Sequence, residues 1–151
     1  MAFKLVISDP KSGKSYQKEF EQSGLLVGKK VGETINGEVL GLSGYELQIT
    51  GGSDKIGTPM RRDVDGIASR LLLLTKSIGF RGRIRIKKDG KTWHSRLGKG
   101  ARRKKRVRGN TISNEIIQVN LKVTKPGATA LEQVFPKKEG VQKTAGEKPA
   151  V

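Results

Sequence analysis

The sequence predicts an all-β protein with a small β-barrel-like body, short glycine-rich turns, a basic hairpin arm and a flexible C-terminal tail. Glycine disfavours helices, and 20 glycines are spread over nearly every segment of the 151 residues. Several short segments alternate apolar and polar residues with the two-residue period of a strand. Turn-forming residues separate these segments, and many short strands in this arrangement are typical of a barrel or a sandwich.

The first two strands are predicted near the N-terminus. Residues 3–7 form a short apolar run that ends at a Ser-Asp-Pro turn cluster, and residues 16–20 alternate as a returning strand would. The intervening segment 8–15 includes Gly13-Lys14-Ser15 and partly matches a phosphate-binding P-loop. That motif requires glycine where this chain has Ser8, and it requires a helix for which the following residues leave no room. Segment 8–15 is therefore predicted to be a hairpin turn.

The middle of the chain predicts a hairpin and a strand. Asn36-Gly37 favours a two-residue hairpin between residues 34–35 and 38–40, because this dipeptide accepts positive φ at both turn positions. Residues 45–49 then alternate, so that three large side chains share one face of the predicted strand: Tyr45, Leu47 and Ile49.

Two more strands are predicted further along. The continuous apolar run from Leu71 to Leu74 is typical of a strand that is buried on both sides. After Ile117, Val119, Leu121 and Val123 recur at every second position, with polar residues between them.

An arm and a tail complete the predicted organisation. Ile84 and Ile86 alternate with cations, and the turn Lys88-Asp89-Gly90-Lys91 leads into Thr92-Trp93-His94, which predicts a basic hairpin arm carrying the only tryptophan. Residues 1–127 are expected to form a single β domain. Residues 128–151 are rich in Lys, Gly and Ala, and they are expected to be a flexible tail.

The positive charge is concentrated in one segment. The chain has a net charge of +17, and residues 76–108 contribute 15 basic side chains against one acidic side chain, a net +14. Arginine suits phosphate oxygens, and the block has no Leu/Phe stripe that would insert into lipid. Nucleic acid is therefore the predicted partner, in preference to a membrane surface or to a merely solubilising face. We expect the block to become ordered only on RNA.

Several classes of site are excluded by composition. The absence of cysteine excludes disulfides, thiolate metal sites and cysteine nucleophiles, and the single histidine, His94, excludes sites that need two imidazoles. No apolar run approaches the ~18–20 residues of a membrane span, and the N-terminus lacks a secretory h-region. We expect a soluble, cytoplasmic protein without metal or cofactor.

Some residues leave alternatives open. Asp54, Asp63 and Asp65 are interpreted as solvated loop charges rather than as a magnesium or acid–base site, because no histidine accompanies them. His94 is interpreted as an exposed or RNA-facing imidazole. Trp93 is either a small-core residue or a platform on which a base stacks.

The segment from Ile49 to Met60 predicts a rigid loop. A strand is expected to end at Gly51-Gly52, Gly57 punctuates the loop and Pro59 fixes its backbone, so that the loop presents Arg61 and Arg62. This stretch closely resembles the signature of the small-subunit ribosomal protein S six family of the archaeal and eukaryotic type. The matching signature residues are Gly51, Gly52, Asp54, Gly57, Pro59 and Met60.

Other segments resemble the same family in the same order. They are residues 3–10 with Gly13-Lys14, the strand at 70–74 and the Arg/Lys run at 102–109, so the resemblance covers roughly residues 3–125. It implies a structural constituent of the small (30S) subunit whose partners are small-subunit rRNA and other small-subunit proteins, with no enzymatic activity, cofactor, membrane contact or small-molecule substrate. The arm at 82–98 is longer than the corresponding segment of the family. The long phosphorylated C-terminal helix of eukaryotic members is expected to be missing, so the resemblance implies a short form similar to archaeal members.

The residues predicted to bind RNA are the cations of the loop, the arm and the run. They are Arg61, Arg62, Lys76, Arg81, Arg83, Arg85, Lys87, Lys88, Lys91, Arg96, Lys99, Arg102, Arg103, Lys104, Lys105, Arg106 and Arg108. Two rival functions remain. One is a free-standing RNA-binding module of the RNA-chaperone kind, and the other is a nucleotide-dependent RNA-modifying enzyme that uses Gly13-Lys14-Ser15.

Overall fold

The computed structural model describes residues 2–21, 23–127, 129 and 131–135, and nearly all of its regular structure is β-strand. The prediction of an all-β fold is confirmed. The elements in chain order are β1 (Phe3–Ser8), β2 (Ser15–Phe20), β3 (Thr34–Asn36), β4 (Glu46–Asp54), β5 (Ser69–Leu74), β6 (Arg83–Lys88), β7 (Lys91–Arg96), β8 (Arg103–Arg108), β9 (Ile116–Lys125) and the short helix α1 (Leu131–Val134). Among the described residues, no helix has the length and apolarity that a membrane crossing requires.

The body is one five-stranded sheet in the order β2-β1-β9-β4-β3. The alternation of β1 buries Phe3, Leu5 and Ile7, and these side chains meet Val119 and Leu121 of β9 in the main core. β1 runs antiparallel to β2, as predicted for a hairpin, and parallel to β9. The sheets do not close on themselves within the described part of the chain, so the body is an open sheet rather than the barrel-like shape expected.

The predicted hairpin at Asn36-Gly37 is wrong. Residues 34–36 form β3, but residues 37–40 form a 3₁₀ turn, and the partner of β3 is β4. Gly37 serves close packing instead of turn geometry: a Cβ atom there would lie 2.5 Å from the carbonyl oxygen of Leu42 and 2.7 Å from Cβ of Tyr45. A turn signal read from two residues was overridden by this tertiary contact.

The leucine run at β5 is buried on one side only, so the prediction of burial on both sides is wrong. Leu71 and Leu73 are 62% and 58% exposed, whereas Leu74 is buried. β5 pairs only with β8 in a separate two-stranded sheet, and nothing among the described residues covers the outer face of that sheet. By contrast, the predicted buried faces of β4 and β9 are confirmed.

Part of the segment expected to be a flexible tail packs on the main core. Leu131 is buried, the ring of Phe135 stacks on that of Tyr16 with 5.6 Å between centroids, and the hydroxyl of Tyr45 donates a hydrogen bond to the carbonyl of Thr129. The rest of that segment, residues 128, 130 and 136–151, lies outside the described residues.

Candidate nucleic-acid interface

A second, smaller core supports the basic part of the chain. Val64, Leu74, Phe80 and Val107 are buried together, and Leu97 packs against them. Leu74 belongs to β5, Val107 to β8, and Leu97 follows β7, so this cluster joins the β5–β8 sheet to the base of the arm. The base of the arm is therefore anchored by this smaller core.

The arm is a β-hairpin, as predicted. β6 and β7 pair antiparallel from Arg83–Arg96 to Lys88–Lys91, and Asp89 and Gly90 both have positive φ, as in the type I′ turns that suit the twist of paired strands. Because residues directly opposite each other share a face, the register separates two surfaces. One face presents Arg83, Lys87, Thr92, His94 and Arg96, and the other presents Ile84, Ile86, Lys88, Lys91, Trp93 and Ser95. The side chain of Arg85 lies outside the described part of the chain.

A cleft of about 570 Å³ lies at the base of the arm. We call it the basic cleft, because no acidic residue is among its described lining residues and five of them are cations: Lys76, Arg81, Arg83, Arg96 and Lys99. None of these cations forms an ion pair with a described carboxylate. All five were predicted RNA-binding residues, and the fold brings them together from the ends of the arm and from the segments flanking it. Like charges held this close together favour a polyanion between them.

The Arg/Lys run is a strand, so the expectation that it is ordered only on RNA is wrong for residues 103–108. β8 pairs with β5 along its whole length. Lys104 and Arg106 are exposed on the outer face, which they share with Leu71 and Leu73, whereas Val107 enters the smaller core. The cations of the run are therefore divided between two faces of the sheet.

Arg108 is held by carboxylates of the chain itself. Its guanidinium donates a 3.0 Å hydrogen bond from Nε to Asp54 and also contacts Glu115, and its side chain is only 14% exposed. Asp54 is buried and accepts further hydrogen bonds from the backbone N–H groups of Ile56 and Thr58. The interpretation of Asp54 as a solvated loop charge is wrong.

The signature loop secures the end of β8. Here β4 continues through Gly51-Gly52 to Asp54, so the predicted end of this strand at the two glycines is wrong. The backbone N–H of Arg108 donates to the carbonyl of Pro59, and that of Arg61 donates to the carbonyl of Arg108. Together with the Asp54–Arg108 ion pair, these bonds fix the basic strand to the main sheet.

Arg61 and Arg62 have different surroundings. The guanidinium of Arg61 donates to both carboxylate oxygens of Asp63 at 2.7 and 2.5 Å, and it also reaches Ser77 and the carbonyl of Ile78. Arg62 is exposed, and its guanidinium lies over Gly32. Of the other acidic residues nearby, Asp65 accepts a 2.9 Å hydrogen bond from Nδ2 of Asn110. Among the described residues, no cluster of three or more metal-ligating side chains occurs.

The sequence did not predict a role for Glu115, Asn110 or Ser77, although all three form hydrogen bonds with residues of the candidate interface. Each lies 7 to 48 positions from the residue whose contact it makes, and no local period or motif connects such positions. Only the folded chain identifies them.

Acidification is expected to weaken the contact between Asp54 and Arg108. Burial alone would raise the pKa of Asp54, but hydrogen bonds from Thr58, Arg108 and Ile56 outweigh it and hold this pKa below its ordinary value. A carboxylate with a lowered pKa stabilises the folded chain above its unfolded-state pKa of ~3.9, and this stabilisation is lost as the pH falls through the folded-state pKa. We expect Asp54→Asn to cost about 2 kcal/mol at neutral pH and progressively less below about pH 4.

Denaturant melts of wild type and Asp54→Asn between about pH 2 and 7 measure this difference. The comparison is needed because hydrogen bonds from Arg61 also lower the pKa of Asp63, and those from the backbone of Lys11 lower that of Asp9. A stability difference that does not change with pH would contradict the role given to Asp54.

Comparison with known proteins places these features in a family context. A family profile described as "Ribosomal protein S6e" matches residues 3–136. The chain is 44% identical over 142 residues to "Small ribosomal subunit protein eS6" of Archaeoglobus fulgidus, covering 92% of this chain and 99% of the relative. Proteins of the same description from Methanoculleus marisnigri (42% identity, 91% and 95% covered) and Methanococcus maripaludis (46% identity, 87% and 94% covered) are also similar.

Proposed function

The chain belongs to the ribosomal protein S6e family, and on that premise we propose that it is a constituent of the small ribosomal subunit that binds rRNA through the arm, the basic cleft and the exposed cations of β8. Its relatives are described as proteins of that subunit. The proposed partners are small-subunit rRNA and neighbouring small-subunit proteins, and the proposed location is the cytoplasm. Residues 1–127 act as one β domain in this proposal.

The basic cleft is the observation that carries the proposal. Its five cations are unneutralised by described carboxylates, and they surround a space of about 570 Å³ that a phosphate backbone can enter. Cations that replace condensed counterions supply affinity without reading sequence. The shape of the folded rRNA supplies the placement, because A-form grooves are recognised mainly by shape and backbone.

The paired arginines take a supporting role in this proposal. The guanidinium of Arg61 donates hydrogen bonds to Asp63, and that of Arg108 donates to Asp54 and Glu115, so these two arginines position the interface. Arg62 is exposed and is therefore available to bind phosphate. The other predicted cations of the arm and of the run remain proposed RNA ligands.

A structural role is favoured over an enzymatic one. The family is one of ribosomal structural proteins, and the Gly13-Lys14-Ser15 segment lies in the β1–β2 hairpin turn, where the carboxylate of Asp9 accepts hydrogen bonds from the N–H groups of Lys11 and Ser12. No helix follows Lys14, since Ser15 begins β2. The nucleotide-dependent alternative therefore lacks its structural requirement.

Assembly into subunits tests the proposal against the free-standing RNA-binding module. The labelled full-length chain is added to archaeal small subunits that have been depleted of their own copy, and the mixture is separated on a sucrose gradient. We expect the chain to sediment with the subunit in a one-to-one ratio that survives a salt wash. A chain that binds isolated RNA but stays at the top of the gradient would contradict a constituent role.

A further inference from the structure

Trp93 is the largest of the exposed apolar side chains among the described residues. It is the only tryptophan of the chain and is 61% exposed, so the interpretation as a small-core residue is wrong. Its cross-strand neighbour Ile86 is 46% exposed, and neither belongs to either core cluster. Contact between this exposed indole and a partner would be favourable, because it would remove apolar area from water.

The charges around Trp93 select its partner. Lys88 and Lys91 lie on the same face, two residues nearer the tip than Ile86 and Trp93, and the opposite face carries Arg83, Lys87 and Arg96. An apolar protein pocket or a lipid interior that bound the indole would also have to bury these cations, which is unfavourable. A single-stranded nucleic acid offers phosphates for the cations and flat bases for the ring at the same time.

We infer that Trp93 is a platform on which an unpaired RNA base stacks, while Lys88 and Lys91 contact the flanking phosphates. The inference rests on the proposed function and adds a second kind of contact to it. Paired bases inside a helix have their faces covered by their neighbours, so the partner is a nucleotide in a loop, a bulge or a strand end. The partner class is therefore single-stranded RNA, with little preference among bases because every base has a π-face.

The single tryptophan makes the stacking directly observable in the full-length chain. Twelve-nucleotide oligo(A) is titrated into the protein while indole emission is recorded, and the matched probe is an oligomer of equal length and charge whose central residues are abasic. We expect oligo(A) to quench the emission and the abasic oligomer to leave it nearly unchanged. Equal emission changes with both probes would overturn the inference.

Affinity measurements on variants supply the second readout. Trp93→Leu keeps an apolar partner for Ile86 but removes the aromatic face, and Trp93→Phe keeps a smaller aromatic face. By anisotropy of labelled oligomers, we expect Trp93→Leu to weaken oligo(A) binding about tenfold, Trp93→Phe to weaken it less, and neither to change binding of the abasic oligomer. Thermal melts that match wild type exclude a folding defect.

The outcomes separate this inference from the proposed function. If Trp93→Leu binds oligo(A) as wild type does, the stacking is refuted while the phosphate interface stands. If the emission instead shifts to shorter wavelength only in assembled subunits and oligo(A) has no effect, a protein neighbour covers Trp93, which also refutes it. Failure of the basic cleft to contribute to RNA binding would refute the proposed function independently.

Discussion

Replacement of Gly52 by valine is expected to destabilise the folded chain strongly. Gly52 lies in β4 opposite Val119, and a Cβ atom there would lie 2.5 Å from the carbonyl oxygen of Gln118 and 3.0 Å from Sδ of Met60. The nearer atom belongs to the backbone of the central strand β9, which cannot move without disturbing its pairing with both β1 and β4. We expect a loss above about 3 kcal/mol, which corresponds to a drop of roughly 10 °C or more in melting temperature.

Two comparisons show whether the effect arises from that contact. Gly98→Val places the same side chain where nothing lies within 4 Å and should leave the melting temperature nearly unchanged. Arg62→Ala should also melt like wild type, because its side chain is exposed, whereas Arg61→Ala should be modestly destabilised by loss of its hydrogen bonds to Asp63 and Ser77. Wild-type melting of Gly52→Val would contradict the close approach of β4 to β9 at this position.

Neutralising the basic cleft is expected to remove much of the affinity for rRNA. The five-fold variant replaces its cations by glutamine, namely Lys76, Arg81, Arg83, Arg96 and Lys99. If each contacts one phosphate, the log–log salt slope should become shallower by about 3.5 to 4.5, from a wild-type slope of about −4 to −9, and affinity should fall by at least about a hundredfold. Binding to a small-subunit rRNA fragment, measured at several salt concentrations, checks both numbers.

A variant with the same charge change outside the basic cleft, the arm and β8 is the matched control. It replaces five exposed lysines by glutamine: Lys4, Lys11, Lys30, Lys55 and Lys122. Net charge alone would lower binding of both variants equally, whereas a localised interface predicts a much smaller change for the control. Equal losses would place the interaction in the overall charge of the protein rather than in the basic cleft.

Strands that rely on local alternation were predictable from the sequence. In β1, β4 and β9, apolar residues at every second position can be buried on only one face, so the pattern and the fold agree. The arm was predictable for the same reason, because alternation and the turn at Asp89-Gly90 are both local. The hairpin predicted at Asn36-Gly37 was wrong because Gly37 packs closely against Leu42 and Tyr45. The turn preference of a dipeptide does not include such a tertiary contact.

The sequence alone determined the sign and the place of the charge, the all-β class and the resemblance to one ribosomal family, because composition, two-residue periodicity and a twelve-residue motif are all readable along a line. Tertiary structure alone decided which cations are available. It paired Arg108 with Asp54 and Arg61 with Asp63, while none of the described carboxylates pairs with a cation of the basic cleft. The physical reason is that ionic neutralisation depends on distances of a few ångströms between residues far apart in the chain, and burial depends on which face of a strand finds a neighbour. Neither these distances nor the burial of a strand face is defined until β5, β8 and the arm pack against the rest of the fold.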